Sequence, residues 1–156
     1  MTTMMALATN AQSVKAPSVN APRYVVIDSN IATIPAMNKT MQDLMPGYTQ
    51  TGAESTAMEE VYTFTSADAR PLRIVYTTKN SRGSKVISKI AIVGDVNDLE
   101  LVYKNLFKSN REIDINKHTY QLDYFDYNSK KHYVRFDPDT ENNRDSGDWS
   151  IIIGKY

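Results

Sequence analysis

Apolar residues recur along this chain with two different periods, and the change from one to the other marks its elements. Residues 23–28, RYVVID, are β-rich and predict a short strand. Pro35 then stands where a first helical residue belongs, and Met37, Met41, Leu44 and Met45 follow at helical spacing until Pro46-Gly47 stops them. The spacing predicts a helix over 35–45 with a methionine-rich face. Methionine fills irregular gaps, so that face reads as core; an adaptable binding surface is the second reading. Residues 46–58, PGYTQTGAESTAM, are polar and read as a linker.

From Glu59 the period becomes two. Val61 to Thr65 alternates as a strand, and Leu72 to Thr78 forms another, led in by Pro71. Residues 79–84, KNSRGS, carry turn chemistry, and Lys85 to Val93 returns, so these two strands form a hairpin. The period then becomes helical. Gly94 breaks the strand, Asp95 is a good N-cap, and Asp98 stands where a capping box has its acid. Leu99, Val102, Tyr103, Leu106 and Phe107 trace one buried helix face, Lys104 and Lys108 suit the C-terminal dipole, and Asn110 can end the helix. Beyond it the pattern predicts a short strand over 112–115, a longer one over 118–127, a turn at 128–130 and a return over 131–136. The last strand, over 149–155, carries Ile151, Ile152 and Ile153 in succession, as a central strand covered on both faces would.

Segregated strands with one crossing helix predict an α+β fold. The expected architecture is a mainly antiparallel sheet of five to seven strands. A single well-formed helix covers one face, and a short strand–helix module precedes the sheet. The expected divisions are 1–22 as an arm or export remnant, 23–58 as the N-terminal module with its linker, and 59–156 as the main domain.

Composition narrows the functional classes. The 156 residues carry 18 basic and 18 acidic side chains, so the formal charge is zero. That balance weighs against a general nucleic-acid binder, and the 41% hydrophobic content weighs against whole-chain disorder. No apolar run reaches eighteen residues, so no membrane-spanning helix is expected. Without cysteine there is no disulfide, thiolate metal site or thiol nucleophile.

Residues 1–22, MTTMMALATNAQSVKAPSVNAP, hold one charge, Lys15, and too little apolar surface to fold alone. Met4 to Ala8 followed by Thr9-Asn10-Ala11 resembles the end of an export signal, with Gln12 as the first mature residue. The stretch is short and no basic residue precedes it. An arm that orders only against neighbouring subunits and a frayed terminus are the other readings.

Candidate chemistry is sparse. In residues 137–148, DPDTENNRDSGD, the acids Asp137, Asp139, Glu141, Asp145 and Asp148 fall at loop positions 1, 3, 5, 9 and 12, a spacing that resembles a calcium-binding EF-hand loop. Asn142 replaces its glycine, Asp148 its long final glutamate, and strands flank it, so a solvated acidic loop is the plainer reading and no cofactor is expected. Arg70, Arg73, Lys79, Arg82, Lys85 and Lys89 form an acid-free basic span over 69–94. It reads as a solvated hairpin, as a phosphate site, or as one pole of a head-to-tail contact with the acidic loop of a second copy. His118 and His132, with Asp123 or Asp126, fall short of a zinc pattern. No nucleophile elbow, phosphate loop, dinucleotide fingerprint or zinc-protease motif is present, and Asp114, Asp123 and Asp126 read as ordinary strand positions rather than paired catalytic carboxylates.

Tyrosine is abundant, with ten in the chain. Tyr120, Tyr124, Phe125, Tyr127 and Tyr133 crowd one hairpin; strand parity puts Tyr120 and Tyr124 on one face and Phe125 and Tyr127 on the other. One face can lie under the helix, while the other leaves rings that need a cover. These features together predict a non-enzymatic binding or assembly domain, exported to the periplasm or cell exterior. Its protein-binding candidates are Tyr124, Phe125, Tyr127, Tyr133, Arg73, Arg82 and Lys85, and its partner is another protein or a second copy. A phage or virus particle subunit with 1–22 as its arm is the alternative, followed by a small cytoplasmic enzyme or inhibitor.

Overall fold

In the computed structural model, residues 27–108, 121–138 and 148–156 are described. They form a single antiparallel sheet of seven strands with two helices on one face, an α+β fold. The strands are β1 (Thr49–Ser55), β2 (Glu59–Ser66), β3 (Ala69–Ser81), β4 (Ser84–Gly94), β5 (Gln121–Tyr127), β6 (Lys130–Asp137) and β7 (Trp149–Lys155). The helices are α1 (Ile34–Leu44), entered through a 3-10 turn at Ile31–Thr33, and α2 (Val96–Phe107). The sheet order is β1-β2-β3-β4-β7-β6-β5, so the chain leaves β4 through α2, starts again at the far edge, and inserts β7 last.

Helix α2 forms as its spacing predicts. The Asp95 side chain accepts from the Asn97 amide at 2.9 Å, which caps the first turn. Leu99, Val102, Tyr103, Leu106 and Phe107 are all buried against the sheet. The helix ends at Lys108 in the left-handed conformation, φ 49°; Asn110 lies outside the described residues. Helix α1 leans on α2, and the Asn105 amide donates to the Leu44 carbonyl at 2.8 Å. Met37, Met41 and Met45 are buried in the same core as the sheet isoleucines, which makes the methionine face core filler. The Tyr76 hydroxyl donates to Asn38 Oδ1 at 2.7 Å and joins α1 to β3 inside that core.

Two differences from the sequence expectation stand out. Residues 49–55, read as part of a linker, form edge strand β1 paired with β2, so the stretch after α1 belongs to the sheet. The triple isoleucine of β7 is central, but Ile151 and Ile153 are buried while Ile152, on the other face, is only half-buried. The strand expected over 112–115 and residues 118–120 lie outside the described residues, as do residues 23–26 of the first expected strand.

Two hairpins close with two-residue turns in the left-handed region. Arg82 and Gly83 connect β3 to β4 with φ 49° and 79°, and Asn128 and Ser129 connect β5 to β6 with φ 50° and 61°. That pair of signs matches the twist of the flanking strands.

Candidate surface on the open face of the sheet

The antiparallel register sorts the side chains of the sheet into two faces. One carries Leu72, Ile74, Tyr76, Ile90, Ile92, Phe125, Val134, Phe136, Ile151 and Ile153 beneath the helices. The other is crossed by no helix or strand among the described residues.

Three cross-strand rows run over this open face. The central row is Val61, Val75, Ala91, Ile152, Arg135 and Leu122, one residue from each of six strands in spatial order. All six are half-buried, so the row is an apolar stripe with a single cation near its end. On one side lies the row Thr63, Arg73, Val93, Ser150 and Asp137, whose middle is closed off within the chain, since Val93 and Ser150 are buried while Arg73 is exposed. On the other lies Glu59, Thr77, Lys89, Gly154, Tyr133 and Tyr124.

The β5–β6 end of the stripe is aromatic. Leu122, Tyr124, Tyr133, Arg135 and Tyr156 line a shallow concavity of about 280 Å³. Tyr124 and Tyr133 are direct cross-strand partners. The Tyr133 ring lies over Gly154 of β7, where the missing side chain leaves room for it. Tyr156 meets Tyr124 edge to face, with centroids 5.3 Å apart, and Lys131 Nζ stands 5.8 Å from the Tyr124 ring centre. Arg135 is held by Asp137, Nη2 to Oδ2 2.9 Å, so the concavity has rings for its floor and walls and an ion pair on its rim.

The predicted binding residues therefore divide. Tyr124 and Tyr133 stand together on the open face. Phe125 does not: it is buried beneath α2, 5.6 Å from the Phe107 ring and stacked on His132 at 5.4 Å, so it is a core residue. Tyr127 shares the Phe125 face and packs at the edge of the same core, with its ring edge on His132. Arg73 is exposed on the open face beside the apolar row, and no ion pair holds it among the described residues. Arg82 is at the exposed tip of the β3–β4 turn, far along the hairpin from the aromatic end. Lys85 pairs with Glu60 at 3.4 Å and also reaches the Thr56 carbonyl.

The basic span is thus partly met from within the chain. Arg70 faces Asp148 at 3.8 Å and Lys79 faces Asp28 at 3.8 Å, while Lys155 takes the same Asp28 at 2.8 Å. The Lys155 ammonium holds the Asp28 carboxyl below the usual carboxylate range. Of the calcium-loop residues, Asp137 and Asp148 face arginines; Asp139, Glu141 and Asp145 lie outside the described residues. Among the described residues, no three His, Asp or Glu side chains gather as a metal site requires, and no helix is long and apolar enough to cross a membrane.

The remaining acid and histidine candidates are interior. Asp123 is buried and its carboxylate accepts from the Tyr103 hydroxyl at 2.8 Å, while His132 Nδ1 donates to the Lys130 carbonyl at 2.9 Å. His118 and Asp114 lie outside the described residues, and Asp126 is exposed opposite Lys131. The residues missed from sequence are Val61, Val75, Ala91, Leu122, Arg135, Ile152 and Tyr156. Each sits on the open-face parity of its strand, but their alignment across the sheet depends on β7 lying between β4 and β6. Comparison with protein-family models, curated proteins and solved structures finds no match for this chain.

Proposed function

We propose that this chain is a non-enzymatic binding or assembly domain whose working surface is the open face of its sheet. The observation that supports this is the half-buried row from Val61 to Leu122, ending in the Tyr124, Tyr133 and Tyr156 cluster. A contiguous apolar band edged by tyrosine and charge has the composition of a protein interface, because tyrosine offers a large apolar ring with a polar tip. Such a face would serve an exported binding protein or a subunit of a particle equally well, and the identity of its partner separates the two.

A photo-crosslinking amino acid at Tyr124 tests the reading in the cells that make the protein. Leu101, exposed on the outer side of α2, is the control position. A defined adduct from position 124 and none from 101 is the expected result. No adduct at 124, or the same adducts from both positions, would refute the open face as a binding surface.

A further inference from the structure

We infer that the partner on this face is a second copy of the chain, packed face to face about a two-fold axis that runs along the strands between β4 and β7. This rests on the open face being a binding surface and adds its occupant and register.

The rows carry the argument. Rotation about that axis lays each row of one copy on the same row of the other, with β4 over the second copy's β7, β3 over its β6 and β2 over its β5. In the central row, small Ala91 then meets large Ile152, and Val61 meets Leu122. In the first outer row, Arg73 meets Asp137. In the second, Lys89 arrives over Gly154, where the Tyr133 ring lies, a cation over an aromatic face. Glu59 arrives over Tyr124, beside Lys131. Val75 meets the aliphatic stem of Arg135, whose guanidinium is held by Asp137. Each of these contacts occurs twice by symmetry.

The axis parallel to the strands is distinguished by these pairings. It is also the aligned arrangement in which twisted sheets pack over an extended area. Six strands at about 4.8 Å spacing and three rows about 7 Å apart, less the positions already buried within the chain, give a footprint of roughly 500 Å² per copy. Two such footprints reach about 1,000 Å², the threshold for a specific interface. Arg73 and Lys89, exposed and without an ion pair among the described residues, acquire partners in the dimer.

The geometry makes a test that few other arrangements would pass. Val61 and Leu122 lie five strand spacings apart in one copy, about 24 Å, yet face each other across the dimer, where packed sheets are about 10 Å apart. The chain has no native cysteine, so Val61→Cys and Leu122→Cys introduce the only thiols. Light scattering on the full chain should give twice the 17.6 kDa of one chain. A thiol crosslinker of about 10 Å reach should join copies in the double variant and in neither single variant. Independently, Arg73→Glu should weaken the dimer about tenfold, whereas Arg82→Glu, at the exposed tip of the β3–β4 turn outside the three rows, should leave it unchanged.

A single chain mass at all concentrations would overturn the dimer. So would crosslinking by either single variant, a doubled mass without crosslinking in the double variant, or equal effects of Arg73→Glu and Arg82→Glu on the dimer. In each case a Tyr124 photo-adduct with a different protein would leave the face a binding surface for another partner, whereas no adduct at all would remove that reading too.

Discussion

Tyr133 and Gly154 face each other across β6 and β7, and the tyrosine ring fills the space that a side chain at position 154 would need. A Cβ on Gly154 would lie 2.5 Å from the phenolic oxygen and 2.6 Å from Cζ of Tyr133. The glycine thus sets the pose of the ring that floors the open-face concavity. Gly154→Ala should cost about 1–2 kcal/mol, because the ring must swing away from the sheet. In a Tyr133→Ala background the same change should stabilise by about 0.5–1 kcal/mol, since glycine inside a strand is otherwise a liability. Urea unfolding of the four proteins measures that reversal of sign; additive effects would show that the ring and the glycine are not coupled.

Two buried hydroxyls make a second prediction. Tyr76 donates to Asn38 Oδ1, and Tyr103 donates to the Asp123 carboxylate, both inside the core between helices and sheet. Replacing either tyrosine by phenylalanine keeps the ring and removes one hydrogen bond to a buried acceptor. Tyr76→Phe should cost about 1–2 kcal/mol, and Tyr103→Phe somewhat more, about 1.5–3 kcal/mol, because its acceptor is ionisable. Equilibrium denaturation decides this, and a neutral Tyr103→Phe would mean that Asp123 draws its stabilisation from other groups.

How much of this was legible in the sequence follows from where side chains are buried. Helix α2 was legible because Leu99, Val102, Tyr103, Leu106 and Phe107 must all face the sheet, which writes a helical period into the chain. Strand β1 was not, because it is an edge strand exposed along nearly its whole length, and residues that bury nothing need not alternate. Parity separated Tyr124 from Phe125, but only the fold shows which of them the helices cover. The apolar row from Val61 to Leu122 was hidden because its neighbours come from distant parts of the chain. Ala91 and Ile152 are adjacent in space because β7 inserts between β4 and β6, and no local signal announces that insertion.

The β5–β6 turn offers a stabilising change. Asn128 tolerates the left-handed region well, whereas Ser129, at φ 61°, gains little from its side chain there. Asn-Gly is the favoured pair for this two-residue turn. Ser129→Gly should therefore stabilise the protein by about 0.5–1 kcal/mol, visible as a higher denaturant midpoint with unchanged cooperativity. The same substitution at Asn128 should gain less. Equal gains at both positions would contradict the distinction between the two residues.

Alkali should unfold this protein through its interior tyrosines. Burial pushes the Tyr48 phenol up to about 12, with the nearby Asp98 charge adding to it, and burial likewise pushes the Tyr76 and Tyr62 phenols upward. A phenol raised in the folded state keeps its proton there longer than in the unfolded chain. Its contribution is fully present below the ordinary tyrosine value near 10 and is lost as pH rises through the folded value. The denaturant midpoint should therefore hold steady up to about pH 10 and fall between there and about pH 12. Tyr48→Phe should remove part of that fall, because the substituted ring has no proton to lose. Near-ultraviolet absorbance should show phenolate appearing in two stages, the exposed Tyr156 first and the buried rings only as the fold gives way. Complete ionisation of all tyrosines near pH 10 with the midpoint unchanged would show that these phenols are not buried in the folded protein.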